Sequence, residues 1–273
     1  MSDVNNNHSV SSKEDEVVII PNDHTLPYKN EEKIVYPTMY EEHFDSLLIP
    51  YDMIHKRTKQ LAHAIAKHYN YNITSSSFSN GNNNGNNNQE PLVIICILKG
   101  STPFYSLLTS ELSLLSIPYI IEFIRVKSYE GNLSSGKVNM ENSMIPKSIN
   151  GRHVVIVEDI VDTGRTLQNF LPKLVHNDNN LVPKSVEVCT LLTKRLDSDN
   201  DSNNNSSSNA DNNQHHQQQK SVEGKVIPIF VGFSIPDKFV VGFGLDFNEM
   251  YRDLRDIWVL GSKGIEMGGY ADC

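Results

Sequence analysis

Residues Leu92–Leu98, LVIICIL, are apolar without a break and run straight into Lys99-Gly100-Ser101. A strand with one wet face alternates apolar and polar residues. An unbroken run needs cover on both faces, the condition of a parallel strand between helical layers. Similar strand patterns recur at His153–Val157, Val186–Leu192 and Ile229–Phe233, and Ile117–Val126 reads as another strand. Helical patterns lie between them. In Asp52–His68, Ile54, Leu61 and Ile65 recur at helical spacing and Asp52 is the expected N-cap; Pro103–Leu115 is a second helix. In Thr166–Val175, Leu167, Phe170, Leu171, Leu174 and Val175 trace one face, and Pro172 is expected to kink it. Such alternation predicts an α/β fold with a twisted, mostly parallel sheet flanked by helices. The polar stretch 127–148, with Gly131 and Gly136, is expected to be a long loop.

Only 38% of the chain is apolar, and the deficit is local. Segments 71–90 and 197–224 are mostly Asn, Ser and Gln. With so little to bury they cannot offset an ordering cost of about 1–2 kcal/mol per residue, so both are expected to be disordered inserts. That leaves a polar N-terminal tail, 1–35, and one domain over 36–273. A net charge of −9 disfavours nucleic acid as a partner. Met1–Asp15 has no apolar core for a secretory signal, and no apolar stretch is long enough to span a bilayer. The three cysteines are scattered without metal-binding spacing, which suits a reducing compartment; a cytoplasmic, membrane-free protein is expected.

The strongest chemical signal is VVIVEDIVDTGRT, Val154–Thr166, where a buried strand ends on Glu158, Asp159 and Asp162 and the next helix begins. Ligands of open α/β sheets bind beyond the carboxyl ends of the strands. A helix N-terminus there offers free N–H groups and partial positive charge to a phosphate. Asp162, Thr163, Gly164, Arg165 and Thr166 would wrap one phosphate, while Glu158 and Asp159, which would repel it, suit sugar hydroxyls or a hydrated cation. Together they outline a ribose 5-phosphate site. The plainer reading is a solvated turn whose Asp or Thr caps the helix. A Walker-type loop is excluded by the missing G-x-x-x-x-G-K-[ST], and a calcium loop by the spacing of the acids.

The same stretch resembles the phosphoribosyl-pyrophosphate motif of type I phosphoribosyltransferases. Four further segments are similar to the hypoxanthine-guanine branch of that family: ILKGS (Ile97–Ser101), KSYEGNLSSGK (Lys127–Lys137), LLTKR (Leu191–Arg195) and IPDKFVVGFGLDFNEMYRDL (Ile235–Leu254). The resemblance implies the type I phosphoribosyltransferase fold, with a small hood subdomain built from chain-end segments. It implies purine salvage: transfer of phosphoribosyl from phosphoribosyl pyrophosphate to hypoxanthine or guanine, with magnesium, in a homodimer or homotetramer. Xanthine as the base, or a non-catalytic sensor of phosphoribosyl pyrophosphate, are the alternatives.

Residue roles follow from the resemblance. Asp162 is the general acid/base at the purine N7. Glu158 and Asp159 hold the ribose hydroxyls directly or through magnesium, and Asp246 is the further magnesium-linked acid. Lys99 and Gly100 form the pyrophosphate loop, with a cis bond before Lys99 in some members. Ser128 and Tyr129 belong to a mobile catalytic loop. Substrate contact extends through Ile160, Val161, Thr163, Gly164, Arg165 and Thr166. Lys194 donates to the purine O6, and because an ammonium has donors only, it favours 6-oxo over 6-amino purines. Phe239 stacks on the base, Val240 meets its edge through the backbone, Lys238 lies beside them, and Arg252 clamps pyrophosphate.

Overall fold

The computed structural model describes residues 16–24, 26, 36–71, 90–126, 145–177, 179–195 and 228–267. Ser128 and Tyr129, most of the expected loop, and nearly all of both polar inserts lie outside them. In chain order the elements are β1 (Val18–Ile19), β2 (Phe44–Ile49), α1 (Tyr51–His68), β3 (Leu92–Leu98), α2 (Thr102–Leu114), β4 (Tyr119–Arg125), β5 (His153–Val161), α3 (Arg165–Val175), β6 (Ser185–Arg195), β7 (Phe230–Pro236), β8 (Val240–Val241), β9 (Ile257–Leu260) and α4 (Ser262–Met267).

Six strands form one sheet in the order β1-β7-β6-β5-β3-β4, and every pair is parallel. The unbroken apolar runs are explained by two cores. On one face, Ile94, Cys96, Val155 and Val157 pack with Ile54 and Leu61 of α1 and Phe104 and Leu108 of α2. On the other, Val93, Ile95, Val154 and Ile156 pack with Leu167, Phe170 and Leu174 of α3. Alternate residues of β3 and β5 thus go to opposite faces and both sets are fully buried. Each such side chain contributes about 1.5–3 kcal/mol.

Two local expectations change. The N-cap of α1 is Pro50, with no side-chain cap; Asp52 sits within the first turn, where its charge faces the helix dipole favourably. Pro172 lies inside α3, as expected, and the helix extends to Val175. The long loop is also shorter at its end than expected, because Lys147–Ile149 close a 3-10 turn.

A second, antiparallel sheet has the order β2-β9-β8. Its own core includes Phe44, stacked on Trp258 at 4.9 Å, with Leu47 and Tyr251. This is the expected hood. It is tied to α1 by the Tyr51 N–H, which donates to Asp256 Oδ1 at 2.7 Å, and by Arg255 lying 4.2 Å over the Tyr51 ring. The Tyr71 hydroxyl donates to the Glu90 carbonyl at 2.8 Å, tying the end of the α1 segment to the start of the β3 segment.

Because β3, β5 and β6 are parallel neighbours, their carboxyl ends share one edge of the sheet. Lys99, Asp162 and Lys194, far apart in sequence, are delivered there together.

Candidate active site

β5 does not stop at Val157 as its apolar run suggests. Glu158, Ile160 and Val161 continue the ladder opposite Thr190, Leu192 and Thr193. Glu158 and Asp159 are therefore strand residues with fixed directions. Glu158 is buried and its Oε2 has no hydrogen-bond partner, and burial, then Asp159, pushes its carboxyl well above the usual range. Asp159 is held on both sides: its N–H donates to Ser101 Oγ at 3.0 Å, and its Oδ1 accepts the Ile160 N–H at 2.8 Å. Burial lifts its carboxyl to about 6 against the pull of those N–H groups and of Arg252.

The first turn after β3 packs onto this acid. The Leu98–Lys99 peptide is cis. At Gly100 an added Cβ would fall 1.7 Å from Asp159 Oδ2, so any side chain there would displace the Asp159 carboxylate. Farther along, Thr102 Oγ1 donates to the Lys99 carbonyl at 2.6 Å, opening α2; Pro103 takes its place in the first turn of that helix.

The loop from Asp162 to Thr166 leads into α3. Gly164 is its N-cap with φ +72, and an added Cβ would meet only Val161 at 3.8 Å. Glycine is thus required here for the left-handed backbone, not for space. Asp162, Thr163 and Arg165 are exposed, Thr166 partly so, while Gly164 and Val161 are buried. The α3 N–H groups and the two hydroxyl-bearing residues therefore open on solvent beside Asp162, a seat for an anion.

Lys194 lies at the end of β6 with its side chain only 13% exposed; Nζ sits 3.2 Å from Asp237 Oδ1 and 3.7 Å from Asp162 Oδ2. It brings a donor-only cation next to the Asp162 carboxylate. Beyond it the Phe239 ring is 46% exposed, edge-on to Phe247 at 5.2 Å, so it is a free aromatic face and not a core residue. Val240 is buried in β8, and Lys238 is bonded through its N–H to the Pro236 carbonyl at 2.8 Å.

Arg252 forms a separate polar knot. Nη1 donates to the Gly244 carbonyl at 2.8 Å, and Nη2 lies 2.9 Å from Asp246 Oδ1 and 3.3 Å from Glu249 Oε1. Lys99 Nζ reaches Glu249 Oε2 at 2.8 Å, and Asp246 Oδ2 accepts the Glu249 N–H at 2.8 Å. Gly244 backs directly onto Gly100: a Cβ there would be 2.0 Å from the Gly100 carbonyl. The Arg252 knot and the Lys99–Gly100 turn are therefore in contact.

The donor set of Glu158, Asp159 and Asp246 fits magnesium by chemistry: hard carboxylate oxygens, one of them buried and unpartnered. Among the described residues no three metal-binding side chains converge. Magnesium ordinarily takes one or two carboxylates and fills its shell with water and substrate oxygens, so no such cage is needed.

The structure brings together the expected Lys99, Gly100, Asp159, Asp246 and Arg252 on one side, and Asp162 and Lys194 on the other, with Phe239 two residues beyond Asp237, the partner of Lys194. Three further participants were not anticipated. Ser101 orients Asp159, Asp237 flanks Lys194, and Glu249 joins Lys99 to Arg252. Ser101 directly follows Lys99-Gly100, and Asp237 directly precedes Lys238, but their pairings exist only across strands.

A family model described as phosphoribosyl transferase domain matches residues 52–248. Over 234 residues the chain is 34% identical to a human protein named hypoxanthine-guanine phosphoribosyltransferase, covering 84% of this chain and 86% of that one. The mouse protein of the same name is 32% identical over the same span. Among solved structures, the hypoxanthine-guanine phosphoribosyltransferase of Schistosoma mansoni in complex with IMP superposes with a TM-score of 0.61 at 25% identity, covering 92% of this chain and 98% of that one.

Proposed function

The chain belongs to the phosphoribosyltransferase family, and on that premise we propose that it is an enzyme of purine salvage. It transfers the 5-phosphoribosyl group of phosphoribosyl pyrophosphate to hypoxanthine or guanine, giving IMP or GMP and pyrophosphate. The observation that carries this reading is Lys194 Nζ set between Asp162 and Asp237 at the carboxyl ends of β5 and β6. That cluster has a donor for a 6-oxo group, an acceptor for a ring N–H and, in Phe239, an open aromatic face.

The bond from the ribose C1′ to the pyrophosphate oxygen breaks, and a bond from C1′ to the purine N9 forms. The proton on N7 goes to the Asp162 carboxylate, a transfer worth about 10²–10⁴-fold when the acceptor is well placed. Thr163, Gly164, Arg165 and Thr166 seat the 5-phosphate at the N-terminus of α3, with Ile160 and Val161 lining the approach. Glu158 and Asp159 accept hydrogen bonds from the ribose hydroxyls and align C1′. Lys99, Gly100 and Arg252 receive the pyrophosphate, and Val240 and Lys238 border the base. One or two of Glu158, Asp159 and Asp246 would hold magnesium, which would supply charge neutralisation for the departing diphosphate. Ser128 and Tyr129, which the resemblance assigns to the catalytic loop, lie outside the described residues.

The reading includes a homodimer or homotetramer, supported by Ile121 and Phe123, which leave apolar side chains about half exposed on edge strand β4. It includes a reducing, cytoplasmic setting, supported by the free buried thiols of Cys96 and Cys189. Parallel assays with phosphoribosyl pyrophosphate, magnesium and each of hypoxanthine, guanine, xanthine and adenine test the reaction. Nucleotide from hypoxanthine and guanine with adenine inert is expected. Binding of phosphoribosyl pyrophosphate with no turnover of any base would leave a sensor instead.

A further inference from the structure

Resting on the reading that Lys99 and Arg252 receive pyrophosphate, we propose that Glu249 is a built-in competitor for those two cations and sets the site's affinity for pyrophosphate-bearing ligands. One carboxylate spans both cations: Oε2 lies 2.8 Å from Lys99 Nζ and Oε1 lies 3.3 Å from Arg252 Nη2. Lys99 arrives from the end of β3 and Arg252 from the turns after β8. Two cations from separate elements, bridged by the two oxygens of one anion, form the pattern a diphosphate would complete.

The carboxylate is aimed there by its backbone. Phe247 and Met250 exchange backbone hydrogen bonds at 3.2 and 3.0 Å, closing the turn that carries Glu249. Asn248 and Glu249 both adopt left-handed φ, +50 and +65, and the Glu249 N–H is fixed to Asp246 Oδ2.

The contact is also weak enough to exchange. The Glu249 side chain is 64% exposed and that of Lys99 50%, and ion pairs at such exposure contribute little to folding. A ligand with greater negative charge displaces it, and its apparent dissociation constant rises in inverse proportion to the fraction of sites in which Glu249 is already released. After transfer, the same carboxylate can reclaim both cations as pyrophosphate leaves.

Titration calorimetry of the full chain and of Glu249→Gln tests this, with inorganic pyrophosphate, phosphoribosyl pyrophosphate and IMP as ligands in one magnesium buffer. Glutamine keeps the side-chain length and places no new demand on the left-handed backbone, and an unchanged melting temperature checks the fold. Pyrophosphate and phosphoribosyl pyrophosphate are expected to bind about two- to fivefold more tightly to the variant, with IMP unchanged. Unchanged or weaker pyrophosphate binding overturns the proposal. So does equal tightening for IMP, which would mark a general loss of negative charge. Arg252→Gln in the same assay tests the underlying site separately: if it leaves pyrophosphate binding intact, the reading of Arg252 fails whatever Glu249→Gln does.

Discussion

A side chain on Gly100 and the carboxylate of Asp159 cannot coexist: the added Cβ would lie 1.7 Å from Oδ2 and 2.9 Å from Cγ. The turn proposed for pyrophosphate and the acid proposed for ribose therefore share one wall. Gly100→Ala should leave the protein folded but swing Asp159 off the Ile160 N–H. A misplaced acid no longer aligns the ribose, and a shift of about 1 Å can cost on the order of 10²-fold, so kcat/KM for phosphoribosyl pyrophosphate should fall by about 10- to 100-fold. Steady-state kinetics beside a thermal melt separate this from unfolding.

Lys194 offers donors only, whereas a glutamine at the same place offers a donor and an acceptor. Lys194→Gln should therefore relax the choice of base. The ratio of kcat/KM for hypoxanthine to that for adenine is expected to drop by about 10- to 100-fold, mainly through loss of hypoxanthine. Competition between the two bases in one reaction measures it.

Glu187, near the amino end of β6, is buried with Oε2 unpartnered, and burial lifts its carboxyl to about 7. With the folded pKa above the unfolded one, this group is neutral in both states below about pH 4.5 and costs nothing there. As pH rises towards 7 the unfolded chain ionises first, and stability is lost at on the order of 1 kcal/mol per pH unit. Glu187→Gln should abolish that loss. Its melting temperature relative to the parent should rise between about pH 4.5 and 7 and level off above. A difference that does not vary with pH would contradict this.

Arg195 fastens β1 to the sheet edge. Nη1 donates to the Ser234 carbonyl at 2.6 Å, and Nη2 to the Ile20 carbonyl at 2.6 Å and Asn22 Oδ1 at 2.7 Å. Arg195→Ala should free the strand. Hydrogen exchange at the Ile20 N–H, bonded to Ser234 at 2.9 Å, is expected to lose about 10- to 100-fold protection while β3 and β5 keep theirs.

The central sheet was legible in the sequence because its strands are covered on both faces. LVIICIL became β3 residue for residue, and β4, β6 and β7 differ from expectation by a few positions at their ends, whereas β1 lies in the stretch read as a polar tail and was not expected. β5 was read four residues short because Glu158 and Asp159 interrupt the apolar run, although the ladder with β6 continues past them. Of the hood, the resemblance gave the existence but not the strands. β2 pairs Phe44 with Leu260, more than two hundred residues away, and β8 and β9 are very short, so pairing rather than local pattern decides them. The site divides in the same way. Gly100, Asp162, Lys194 and Arg252 stand in recognisable motifs, whereas Ser101, Asp237 and Glu249 act through contacts that only the folded chain creates. Ser128 and Tyr129 lie outside the described residues.

What separates an enzyme from a mere binder of phosphoribosyl pyrophosphate is the Asp162 carboxylate beside Lys194. The most direct test is the rate of IMP formation by Asp162→Asn at saturating hypoxanthine and phosphoribosyl pyrophosphate, with the affinity for phosphoribosyl pyrophosphate measured on the same sample. Asparagine keeps the shape and removes the proton acceptor. The account predicts that kcat falls by about 10²–10⁴-fold while that affinity changes little. A variant that forms IMP at the parent rate would contradict it.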